Sequence, residues 1–158
     1  MRVADTPRPP TGFRRLVWRL PILLYRVGLD RLLGERVMLL THTGRVSGRP
    51  RQAVIEVVAR TGDGYVAASG FGPRADWYRN LMKTPEAVVR VGGRVVPVVA
   101  RPLTGAEGGR IMERYAARHP RAARRLCRVM GFAVDGGVAD CRAVGERVPF
   151  VCFTPSES

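Results

Sequence analysis

Val37-Met38-Leu39-Leu40-Thr41-His42-Thr43-Gly44-Arg45-Val46-Ser47-Gly48-Arg49-Pro50-Arg51-Gln52-Ala53-Val54-Ile55-Glu56-Val57-Val58-Ala59 is the stretch that decides the fold. Val37–Thr41 is short and apolar, and Gln52–Ala59 is rich in Val and Ile, so both read as strands. Between them, Thr43 to Arg51 is dense in turn residues and sends the chain back antiparallel. Working outward, Gly62-Asp63-Gly64 turns the chain into a third strand, Tyr65–Ser69. Ala75–Thr84 reads as a short helix with Trp77, Leu81 and Tyr78 on one face, stopped by Pro85. Ala87–Val91, the Gly92-Gly93 turn and Arg94–Leu103 make a hairpin, the glycine pair suiting a tight primed turn. Thr104 and Glu107 have capping-box spacing and open a helix that runs to about Arg118. His119-Pro120 interrupts it, and a second helical stretch runs to about Met130. A Gly/Asp-rich loop and a last strand, Val148–Phe153, complete the chain. The fold class is therefore α+β: about six mostly antiparallel strands with a helical insertion, closing a small barrel rather than a doubly wound sheet.

Residues 1–36 form a separate region from the barrel domain, 37–158. The first dozen residues are polar and proline-rich and are expected to be mobile. Phe13, Leu16, Val17, Leu20, Leu23, Leu24 and Val27 then lie on one helical face, with Arg14, Arg15, Arg19 and Arg26 off it. Such an amphipathic helix over residues 13–27 packs on its own domain or a second subunit, or makes peripheral contact with an anionic membrane. No apolar stretch is long enough to span a bilayer, and no signal peptide with a cleavage site is visible.

At 158 residues and 46% hydrophobic content the chain is one globular domain with a substantial core. Its net charge of +14 comes almost entirely from arginine, with Lys83 the single lysine. Arginine codons are GC-rich, and the abundance of Ala, Gly, Val and Pro points the same way, so the informative quantity is where the arginines sit. They concentrate in residues 1–60 and again in 110–128, on either side of a nearly neutral middle. Basic and aromatic residues do not interleave on one element, and no helix-turn-helix or RNP-like motif occurs, so no specific nucleic-acid partner is expected. Cys127, Cys141 and Cys152 lack metal-ligand spacing, so no metal site is expected. Three widely spaced thiols suit a reducing cytoplasm, with the inner face of the membrane as the other location that the amphipathic helix allows.

Two segments carry candidate chemistry. In the turn Thr43–Arg51, two glycines let backbone amides face an anion, Ser47 offers a hydroxyl, and Arg45, Arg49 and Arg51 bring charge to one place. Strands flank this turn, so it is not a Walker loop, and an exposed basic hairpin turn fits the same residues. The second segment runs from Ser69-Gly70-Phe71-Gly72 to Asp76-Trp77-Tyr78-Arg79-Asn80-Leu81. Small residues at a strand end let a flat ring approach the backbone, although Trp77 and Tyr78 also fit core packing and Asn80 a local cap.

Taken together, LLTHTGRVSGRPR (Leu39–Arg51), ASGFG (Ala68–Gly72), DWYRNL (Asp76–Leu81) and the P-x-x-x-V-x-V-G that starts at Pro85 resemble the deazaflavin-dependent nitroreductase family. That family consists of split β-barrel proteins that bind coenzyme F420. The resemblance covers residues 37–104 with order and spacing intact, and extends more loosely to Pro149–Phe153. It implies that Arg45, Ser47, Gly48 and Arg51 hold the phosphate and oligoglutamate tail of the deazaflavin, with Arg49 an extra cation. It further implies that Ala68, Ser69 and Gly70 lie along the ring, while Trp77, Tyr78 and Asn80 close the pocket. A phosphodiester followed by several carboxylates needs several fixed cations, which agrees with this composition.

The activity so implied is transfer of a hydride from F420H2 to a planar electron-poor acceptor of the quinone or nitroaromatic type. The protein would hold two flat rings in contact and exclude water. Tyr115, His119 and Glu56 are the candidates for proton donation or substrate contact, against the plainer readings of a helix-ending histidine and an arginine-paired carboxylate. Relatives with several tyrosines over the ring differ from this chain, whose corresponding region is arginine-rich with Tyr115 alone. Related split barrels bind FMN or haem. FMN, with one phosphate, would need fewer cations than this turn offers, and haem would have only His42 and His119 as axial nitrogens. The alternatives are thus an FMN-binding reductase, or a barrel that binds a deazaflavin or apolar ligand without catalysis. Both monomers and homodimers are compatible with the resemblance.

Overall fold

The computed structural model describes residues 2–3, 36–62, 64–69, 74–129, 131–133 and 137–156. The amphipathic helix expected over residues 13–27, and Gly70, lie outside them. Arg2–Val3 (β1) pairs with Phe132–Ala133 (β7), so the first residues, expected to be mobile, include a short antiparallel pair. Six longer strands follow the reading above, all antiparallel: Val37–Thr43 (β2), Pro50–Thr61 (β3), Gly64–Ala68 (β4), Glu86–Val91 (β5), Arg94–Pro102 (β6) and Phe150–Pro155 (β8). They close into a barrel in the order β2-β3-β4-β8-β6-β5.

Period-two alternation sorts the side chains between two cores. Met38 and Leu40 of β2, Ile55 of β3, Tyr65 and Ala67 of β4, Val89 and Val91 of β5, Val98 and Ala100 of β6, and Val151 and Phe153 of β8 fill the barrel. The helix Asp76–Lys83 (α1) contributes Trp77 and Leu81, four residues apart on one face, to this core. Outside the barrel, Val58, Val66, Phe150 and Cys152 pack against the helices Gly105–Arg118 (α2), Pro120–Val129 (α3) and Val138–Arg147 (α4). A bulge between Val57 and Ala59 shifts the β3–β4 register, so β3 can serve both cores along its length.

Several local signals act as expected. Thr104 Oγ1 accepts from the Glu107 amide at 3.2 Å and Glu107 Oε1 accepts from the Thr104 amide at 3.1 Å, closing the capping box of α2. Gly92 and Gly93 join β5 to β6 with φ of 56° and 80°, values at which a side chain is disfavoured. One expectation is overturned: much of the supposed Gly/Asp-rich loop before the last strand is α4. Gly145 lies within this helix and serves a helix crossing rather than a turn. α2 and α4 approach so closely at Gly108 and Gly145 that neither position has room for a β-carbon.

Candidate functional site

The β2–β3 hairpin extends beyond β4. Its register pairs His42 with Arg51 and Thr43 with Pro50, whereas β4 ends at Ala68 opposite Phe150. The overhang meets α1 across a cleft of about 580 Å³, and the facing walls include His42, Arg51 and Ala53 on one side and Ala75, Trp77 and Asn80 on the other. The turn occupies Gly44–Arg49, shorter than the segment read from the sequence because both strands run further into it. Gly48 adopts φ of 70°, and its amide donates to the Gly44 carbonyl at 2.9 Å.

Arg45 ties this turn to α1. Asp76, Asn80 and Lys83 occupy positions i, i+4 and i+7 of the helix, hence one face. All three engage Arg45. Its amide donates to Asn80 Oδ1 at 3.0 Å and its guanidinium to the same oxygen at 2.8 Å. A second guanidinium nitrogen reaches Asp76 Oδ1 at 3.3 Å, and Lys83 Nζ donates to the Arg45 carbonyl at 2.8 Å. About a quarter turn round α1 stands Trp77, whose ring lies 6.3 Å from Tyr78 and 6.4 Å from Phe153.

Two donors on Asn80 Oδ1 fix the orientation of its amide, so Nδ2 donates to His42 Nδ1 at 3.0 Å. His42 is therefore the tautomer with its proton on Nε2. It is only 5% exposed and Asn80 only 3%. Burial pushes the His42 pKa down to about 4, with Arg51 acting in the same direction and Asp76 partly opposing. At pH 7 the ring is neutral, a hydrogen-bond donor at the cleft rather than an acid.

This shift makes stability depend on pH. The unfolded chain protonates His42 near 6.5 and the folded chain near 4, so the unfolded state binds more protons between those values. Stability falls as the pH drops through that window, by about 2 kcal/mol between pH 7 and pH 5. Urea unfolding at the two pH values should show this loss, and His42→Gln should remove it.

The cofactor-binding candidates separate on the structure. Arg45, Ser47, Arg51, Trp77 and Asn80 line the cleft. Gly48 and Arg49 belong to the same turn without lining it. Tyr78 is turned toward the barrel core, Ala68 packs toward the outer helices, and the buried Ser69 donates its amide to the Pro149 carbonyl at 2.8 Å. The amides expected to face an anion are largely engaged already, those of Gly44, Arg45, Gly48 and Arg49 all donating within the protein. Guanidinium groups and the Ser47 hydroxyl are left to meet a negative ligand. The Ser47 Oγ accepts from the Arg49 amide at 3.2 Å, which leaves its own proton to donate.

Glu56, Tyr115 and His119 do come together, but elsewhere. Tyr115 donates its hydroxyl to Glu56 Oε1 at 3.2 Å, and its ring lies 5.6 Å from that of His119. Burial, with Glu56 alongside, raises the Tyr115 pKa to about 12, so it remains a donor. All three line a second cavity, between β3 and the helices, that shares no residue with the cleft. Two titratable cleft residues, His42 and Asp76, were not among the expected cofactor-binding residues. His42 was detectable because it continues the inward alternation of Met38 and Leu40, and Asp76 because it stands four residues before Asn80. Among the described residues no cluster of His, Cys, Asp or Glu could hold a metal, and no helix is long and apolar enough to cross a membrane.

Comparison with known proteins bears on this geometry. A family model described as F420H(2)-dependent quinone reductase matches residues 24–130. An F420H(2)-dependent quinone reductase of Mycobacterium tuberculosis strain H37Rv is 35% identical over 94 residues, which are 54% of this chain and 62% of that protein. The chain thus spans less than two thirds of the length of the curated relatives it matches. Among solved structures, an F420-H2 dependent reductase is 23% identical with a TM-score of 0.51, over 76% of this chain and 95% of its own. A pyridoxamine 5′-phosphate oxidase-related, FMN-binding protein of Nostoc punctiforme is 11% identical with a TM-score of 0.55, over 94% of this chain and 83% of its own. Both structural likenesses concern the fold, a split barrel.

Proposed function

Because this chain belongs to the F420H(2)-dependent quinone reductase family, we propose that it uses reduced coenzyme F420 to reduce a planar electron-poor acceptor, a quinone or nitroaromatic. The observation that carries the reading is the meeting of Arg45, Ser47 and Arg51 with Trp77 and Asn80 around one cleft. The deazaflavin, when bound, supplies the hydride chemistry. The chain supplies binding, orientation and exclusion of water.

The cleft residues suit that cofactor. Arg51 on the rim, Arg49 on the turn and the Ser47 hydroxyl offer charge-assisted bonds to a phosphate followed by carboxylates. Arg45 has its guanidinium held by Asn80 and Asp76, so its cation is fixed in place before a ligand arrives. That preorganisation reduces the ordering cost of binding. The neutral His42 adds a hydrogen-bond donor at Nε2 without adding charge. Proton supply to the reduced product falls to water or to a side chain other than His42, whose pKa of about 4 leaves it neutral at pH 7.

Titration of the purified chain with F420H2 should change the coenzyme's fluorescence, and menadione should then oxidise it. Arg51→Gln should weaken coenzyme binding about 10-fold, the loss of one charge-assisted bond. No fluorescence change, together with no oxidation in the presence of menadione, would exclude the reading. Reduced FMN and NADPH serve as the comparison donors.

A further inference from the structure

The cluster of seven basic residues in 110–128 is not used by the cleft described above. Three of its arginines, Arg114, Arg118 and Arg125, instead line the second cavity, of about 550 Å³. Arg36, just ahead of β2, lines it too, as does Arg60 on β3, whose guanidinium lies 4.9 Å over the Tyr65 ring, so five arginines from four parts of the chain border the cavity. The only carboxylate lining it among the described residues is Glu56, which accepts the Tyr115 hydroxyl.

We propose that this cavity is a binding site for a planar organic anion carrying two or more carboxylate or sulfonate groups. Arginines on an ordinary solvated face splay outward, whereas Arg36, Arg114, Arg118 and Arg125 border one concavity. Arg114 and Arg118 stand at i and i+4 of α2, a like-charge spacing that weakens a helix unless a counter-charge is supplied. Between the cations the walls are apolar or aromatic: Val57, Ile111, Ala122, Tyr115 and His119. Rings and guanidinium planes stack on a flat π-system, while the guanidinium edges take carboxylates in pairs. An apolar ligand would leave the arginines repelling one another, and a small inorganic anion would leave the apolar walls uncovered.

The proposal goes beyond the reductase reading and does not depend on it, because none of these residues lines the coenzyme cleft and the binding assay omits the coenzyme, with a cleft variant as its control. The test is equilibrium dialysis of the full chain, without coenzyme, against naphthalene-2,6-disulfonate at about 0.1 M salt, where diffuse surface attraction is largely screened. One equivalent should bind, and the neutral 2-naphthol should bind at least 10-fold more weakly. In Arg114→Gln/Arg125→Gln the disulfonate affinity should fall at least 10-fold, with an unchanged circular dichroism spectrum. In Arg51→Gln it should change less than 2-fold. Absence of saturable binding, equal affinity for 2-naphthol, or equal weakening by Arg51→Gln and by the double variant would each overturn the proposal.

Discussion

Gly145→Ala should lower stability by about 3 kcal/mol or more, among the largest effects of any single methyl group in this chain. Its new β-carbon would fall onto the carbonyl oxygen of Gly108 and within 2.8 Å of Met112 Cβ. The first obstacle is backbone, which cannot rotate away, so α4 must lift from α2. Lifting it opens the outer core, where Met112, Cys141, Val144 and Phe150 are fully buried. Gly108→Ala meets the reciprocal obstacle, the Gly145 carbonyl, with Phe150 Cδ2 also at 3.0 Å. At about 2–4 °C per kcal/mol for a domain of this size, either variant should melt about 10 °C lower by circular dichroism. Gly137→Ala is the control, since nothing lies within 4 Å of its added carbon, and it should cost less than about 1 kcal/mol. Similar melting temperatures for all three variants would refute a close-packed crossing.

Asn80→Leu should act on stability and on ligand binding together. Leucine keeps asparagine's branched outline and heavy-atom count but replaces both polar ends with methyl groups. Polar satisfaction changes a great deal. The Arg45 amide and guanidinium lose their shared acceptor, and the buried His42 Nδ1 loses its donor. Each buried polar group left unpaired costs about 1–3 kcal/mol, so a total of about 2–4 kcal/mol is expected in urea unfolding. Affinity for F420H2 should fall at least 10-fold, because the turn is no longer held against α1. Asp76→Asn, at an exposed ion pair, should cost under about 1 kcal/mol. Asn80→Asp separates the two roles. A carboxylate keeps the acceptor for Arg45 but cannot donate to His42, so the imidazole must carry a proton on Nδ1. Its pKa should therefore rise from about 4, visible by NMR in a chain with only two histidines.

Local chemistry determined what was legible in the sequence. Strand periodicity, the turn around Gly48, the Gly92-Gly93 hairpin and the Thr104–Glu107 cap all follow from residues within a few positions of each other, and all stand in the structure. α4 was missed because its decisive interaction is distant: Gly145 signals a break locally, while Gly108, 37 positions earlier, makes it a contact. The candidate site divided for a similar reason. The family resemblance assigned Arg45, Arg51 and Asn80 to one pocket, and all three line the cleft, but which face of β3 carries Glu56 depends on the pleat, which directs it toward the helices. The commitment of Arg45 to Asn80 and Asp76 was equally invisible, since 31 and 35 residues separate the partners.

The barrel order has a consequence for synthesis. β8 lies between β4 and β6, so the strand that joins the two halves is made after both of them and after three helices. Once β4 and β6 have left the ribosome, each presents an unpaired edge until β8 arrives, and the cylinder is an open sheet. Closure can begin only when Phe150–Pro155 has emerged from the exit tunnel. A pause within α4 would prolong that exposure more than one within β5.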